Sequence, residues 1–104
     1  MSMLDEASEI KSRVGVILGE TSDLIGKAKA KYEKAGRPLP EFPLPEAREV
    51  IRAAMEAEHY AGMVILNDLP RDRDLATRCL ANAKFNLGKA ESALVSARAA
   101  LAKV

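Results

Sequence analysis

The residues best suited to chemistry sit in one short run, Glu56-Ala57-Glu58-His59. Glu56 and His59 are three positions apart. On a helix that spacing sets a carboxylate and an imidazole one turn from each other on the same face. Oxygen and nitrogen donors so placed suit a transition-metal ion. If the chain folds back about residues 36–44, the level of His59 falls near Thr21. Glu20 is then the candidate third ligand, and Glu58 a bridging or supporting group. His59 is the only histidine. The competing reading is that Glu56 and His59 are solvated neighbours at helical spacing, and that Glu58 snorkels or pairs with a basic residue of a facing helix.

A second cluster is cationic. Lys27, Lys29, Lys31, Lys34 and Arg37 are opposed locally only by Glu33, with Arg98 and Lys103 expected at the same end. Such a patch can meet phosphates. Basic residues at a helix C-terminus are also favoured by the helix dipole. Tyr32 is the only aromatic nearby, so nucleic acid is not the partner expected. Cys79 has no His or carboxylate placed to activate it and reads as a buried structural thiol. The sequence holds no phosphate loop, no Ser-His-Asp arrangement and no Cys/His cluster for zinc.

Three local resemblances follow from these residues. The stretch EAEHYAGMVIL is similar to the metal-binding helix of ferritin-like proteins, including the small encapsulated ferritins. The resemblance implies iron held by Glu20, Glu56 and His59. There is no second Glu-x-x-His, so a complete two-metal site needs two chains. A lone His on a helical chain of this size also resembles histidine phosphotransfer domains. Their motif carries a Lys soon after the His, where this chain has Tyr60, Ala61, Gly62 and Met63. Arg52 and His59 resemble the Arg/His signature of HEPN-type ribonucleases, although a polar residue usually follows that Arg and here it is Ala53.

The elements that would position these groups are helices. From Leu75 to the C-terminus, Ala76, Leu80, Ala83, Leu87, Ala90, Leu94, Ala97, Leu101 and Val104 recur at steps of four and three. That is an Ala/Leu heptad seam, in which the small residue admits a neighbour and the Leu fills the space beside it. Cys79, Ala93 and Ala100 widen it on one flank. A second seam runs Met3, Ala7, Ile10, Val14, Ile17, Thr21, Leu24, Ala28, Lys31, Ala35, with Leu18 and Ile25 alongside. Ser2 is its N-cap and Gly36 its C′ residue. Gly15 and Gly19 share a face inside this helix, and either permit close approach by another chain or leave the helix soft.

Residues 36–44 hold Pro38, Pro40 and Pro43, which forbid helix. An extended connector is expected, with Leu39, Phe42 and Leu44 tucked against the bundle. Pro45 opens the next helix at its first position. Its expected seam is Ala47, Ile51, Ala54, Glu58, Ala61, Ile65, flanked by Val50, Met55, Gly62, Leu66 and Leu69. Glu58 is the odd member. Pro70 ends that helix and starts the third.

Charge favours one arrangement. Residues 36–69 carry three basic and six acidic side chains, and residues 70–104 seven basic and three acidic. The second and third helices therefore attract as neighbours. The acidic start of the first (Asp5, Glu6, Glu9) is expected near Arg71, Arg73 and Arg78.

The expectation is an all-α single domain over residues 1–104, an antiparallel three-helix bundle with coiled-coil-like Ala/Leu heptad packing. The helices run about 3–35, 45–68 and 70–103. The spare flank of the third invites completion by dimerisation. Net charge is +1, so no global field draws the chain to nucleic acid or membrane. No window approaches eighteen apolar residues, and acidic residues at the N-terminus do not suit a signal peptide. One cysteine excludes an intrachain disulfide, so the cytoplasm is the expected compartment. The function expected is a non-enzymatic protein–protein interaction module, a small adaptor, assembly or inhibitor protein, without cofactor. It acts on a partner that is itself or another protein, with homo-oligomerisation expected. Leu80, Leu87, Leu94, Leu101, Gly15 and Gly19 are the candidate surface. Iron enters only under the ferritin-like alternative.

Overall fold

Local chemistry sets each helix end. In the computed structural model, which describes residues 2–36, 45–68 and 72–103, Ser2 is extended and its hydroxyl accepts a hydrogen bond from the Asp5 amide at 3.1 Å. That satisfies one of the amides a helix start leaves without an intrahelical partner. Helix α1 follows over Met3–Lys34. It ends where Gly36 takes φ 68°, a left-handed conformation that glycine adopts without steric cost. Helix α2 spans Pro45–Asp68 and helix α3 Arg73–Ala102. Asp72 is not helical, and its carboxylate accepts from the Leu75 amide at 3.0 Å. The third helix thus begins on an aspartate cap; Pro70 and Arg71 lie outside the described residues. So does the extended connector expected over residues 37–44.

The three helices pack against one another, and the described residues contain no strand. The molecule is a rod of 57 × 17 × 16 Å. Its core takes one stripe from each helix. In α1 the buried positions are Ala7, Ile10, Val14, Ile17, Thr21, Leu24 and Ala28. In α3 they are Ala76, Cys79, Leu80, Ala83, Ala90, Leu94, Ala97 and Leu101. Leu87 and Ala93 are partly buried against the core. Burying Ile17, with no exposed surface, contributes about 1.5–3 kcal/mol by removal of its apolar area from water.

The second helix corrects the expectation. Ala47, Ala54 and Ala61 are buried, but their partners are Val50, Ala57 and Val64, not Ile51, Glu58 and Ile65. Glu58 is exposed, and Ile51 and Ile65 are half-buried. With Ala53, the buried face of α2 consists of five alanines and two valines, all fully enclosed. A helix flanked by two neighbours packs both closely when its inward residues are small, and the large side chains come from the neighbours. It also keeps a carboxylate out of a core that offers it no partner. The only buried polar residue described is Thr21, whose hydroxyl donates to the Ile17 carbonyl at 2.7 Å.

The first and third helices are joined by charge. Lys84 meets Glu6 at 2.8 Å, Arg13 meets Glu91 at 3.0 Å and Arg98 meets Glu20 at 2.9 Å. Each pair is separated by 78 positions, so α1 and α3 run side by side in one direction. Glu6 therefore pairs further along α3 than the expected Arg71, Arg73 and Arg78. Among the described residues no ion pair joins α2 to α3, despite their opposite net charges.

Candidate functional site

The inward turn of α2's small residues sends its larger ones outward. Met55 is 60% exposed and Leu66 67% exposed. Between them lie Glu58, His59 and Gly62, and with Lys11 of α1 these residues line a shallow, open hollow. Met63 and Ile65 form its inner wall, packed against the core. His59 is exposed, and its ring meets Tyr60 edge-on with centroids 5.3 Å apart. Among the described residues the ion pairs are Arg13–Glu91, Arg52–Glu49, Lys84–Glu6 and Arg98–Glu20. Lys11 and Glu58 take part in none of these pairs.

The candidate metal ligands are drawn elsewhere. Glu20 faces α3, where its carboxylate accepts from Arg98. Glu56 is half-buried and His59 exposed on α2. No group of three or more His, Cys, Asp or Glu among the described residues is placed to hold a metal ion. Arg52 gives two hydrogen bonds to Glu49, at 2.7 and 3.0 Å. That hydrogen bond holds the Glu49 carboxyl below its ordinary value, against the opposing effect of desolvation and with help from the charges of Arg52 and Lys89. The Arg52 guanidinium is raised for the same reason, so it is engaged with Glu49 on its own helix.

The basic cluster has a structural task in part. Lys27, Lys29, Lys31 and Lys34 are exposed. Lys31 donates to the Leu101 carbonyl at 3.3 Å, satisfying an acceptor in the last turn of α3. Arg37 lies outside the described residues.

The Leu seam of α3 faces inward. Leu80, Leu94 and Leu101 are buried and Leu87 is half-buried against the core, so their contacts are with the chain's own helices. Cys79, expected on a spare flank, is buried too. Gly15 and Gly19 are exposed, with open space where a Cβ would project. Sequence reasoning did not single out Phe85 and Val95, 65% and 66% exposed on α3. Their signal was being apolar off the seam. Phe85 is partly covered by the Lys89 ammonium, 5.5 Å from its ring centroid. No helix among the described residues is long and apolar enough to cross a membrane. No protein-family model, curated protein or solved structure matches the chain.

Proposed function

We propose that the chain is a non-enzymatic protein–protein interaction module, a small adaptor, assembly or inhibitor protein, whose working surface is the outer face of α2. The observation that carries this is the exposure of Met55 and Leu66 on a helix whose inward face is already filled by alanine and valine. Large apolar side chains gathered on one face beside unpaired charges mark an interaction site. The scaffold in this reading is an antiparallel, heptad-packed bundle, with α2 running against the other two. Buried positions at steps of three and four support it, as does the link of only four residues between Asp68 and Arg73. The buried free thiol of Cys79 suits a cytoplasmic setting.

The experiment is site-specific photo-crosslinking in cells. A photoreactive side chain at position 66 is expected to capture a polypeptide, and one at Asp23, exposed on α1, is not. Absence of any adduct from positions 55 and 66 rejects the reading.

A further inference from the structure

Resting on that reading, we infer that the partner taking α2's outer face is a second copy of this chain. The two α2 helices pack antiparallel about a two-fold axis between Glu58 and His59.

The outer stripe is Ile51, Met55, Glu58, His59, Gly62 and Leu66. Its positions are symmetric about the midpoint of Glu58 and His59. Two antiparallel helices crossing there set each position opposite its mirror image, as an isologous interface requires. Ile51 then faces the partner's Leu66, Met55 the partner's Gly62, and Glu58 the partner's His59.

Each pairing is complementary in size or charge. Ile51 and Leu66 give an apolar contact at both ends. Met55, long and flexible, meets a glycine whose Cβ direction is open for 4 Å. In the centre, each carboxylate meets an imidazole. Lys11 lines the same hollow, so an ammonium also stands near each Glu58. One turn along the same side of α1 from Lys11 is Gly15, also with open space where a Cβ would project, so α1 leaves room beside the hollow. A patch holding one large and one small residue at mirror positions, and one carboxylate beside one imidazole, supplies its own complement. A heterologous partner would have to reproduce it.

The stripe covers fifteen residue steps, roughly 22 Å of helix at 1.5 Å per residue. A contact of that size belongs to the weak class of interfaces, which bury less than about 1,200 Å².

Sedimentation velocity of the full chain, from low micromolar to submillimolar concentration, tests this. The mass is expected to rise from one chain to two. Gly62→Met fills the recess that receives Met55. The single chain accepts it because nothing lies within 4 Å, so helicity by circular dichroism is maintained while the dissociation constant rises at least about tenfold. Glu58→Lys is expected to weaken association similarly. Exchanging the pair, Glu58→His with His59→Glu, is expected to restore it. A wild-type chain that keeps one-chain mass throughout overturns the inference, and so does a dimer indifferent to Gly62→Met. A one-chain mass with a crosslink from position 66 to a different polypeptide removes only the second copy. A one-chain mass with no crosslink removes the interaction reading as well.

Discussion

The two flanks of α1 are treated in opposite ways. Toward α3, the groove is closed by Glu6–Lys84, Arg13–Glu91 and Glu20–Arg98, one pair every seven residues. Toward α2, there is an open hollow in which Lys11 and Glu58 have no ion pair among the described residues. Charges on α2 that do pair, Glu49 and Arg52, do so within the helix. The difference underlies the proposal that a partner is taken on the α2 side. A groove whose rim charges are satisfied across it offers a newcomer only competition. A groove with unpaired rim charges and exposed Met55 and Leu66 offers both contact and complement.

The comparison is broken most forcefully by the same substitution on its two sides. Leu94 is buried and Leu66 exposed. Leu94→Ala is expected to cost about 2–5 kcal/mol in urea unfolding, because a cavity remains among helices that cannot collapse onto it. Leu66→Ala is expected to stay within about 0.5 kcal/mol at concentrations where the chain is monomeric. Equal losses would mean that α2's outer face is part of the core.

Next in size are the helix ends and glycines. Asp72→Ala removes the acceptor for the Leu75 amide and is expected to cost ~1 kcal/mol. Gly15→Ala should stabilise by up to ~1 kcal/mol, since the added methyl meets open space and the helix gains propensity. A loss on Gly15→Ala would show that the glycine serves a close approach within the folded chain.

Much of the fold was legible in the residues. Every buried position of α1 lies on the four-three seam written in its sequence, and the seam of α3 from Ala76 to Leu101 is buried except at Leu87, which is half-buried; Val104 lies outside the described residues. The second helix was less legible because it offers two overlapping series. Ala47, Ala54 and Ala61 belong to both. Ile51, Glu58 and Ile65 complete one, and Val50, Ala57 and Val64 the other. Large apolar residues argue for the first, but a helix between two neighbours is better packed by the second. Glu58 was the signal, since a carboxylate in an apolar seam marks the wrong series. The open face follows from that one-residue displacement, so it was hidden for the same reason. The ladder was visible in principle: Glu6, Arg13 and Glu20 alternate in sign, and Lys84, Glu91 and Arg98 alternate in the opposite sense.

The ladder itself is expected to give small energies with a definite signature. A double-mutant cycle on Glu20→Gln and Arg98→Gln should return roughly 0.2–1 kcal/mol, falling as salt is raised. The coupling should be absent between Glu20 and Arg13, which lie on the same helix and have different partners.

The smallest effect belongs to Glu49 and Arg52, on the open side. The hydrogen bond from Arg52, then its charge, hold the folded Glu49 pKa below its ordinary value of 4.5. A carboxyl with a depressed folded pKa contributes stability above its unfolded pKa and loses it as pH falls through the folded one. Arg52→Gln should therefore lower stability slightly near neutral pH. The deficit should shrink as pH drops below 4.5 and vanish once Glu49 is protonated in both proteins. Both groups are solvent-exposed, so the difference is best read from paired urea titrations across pH. A deficit that persists in acid would mean that Arg52 supports α2 by packing its stem, and that charge on this side does as little for the fold as the open groove suggests.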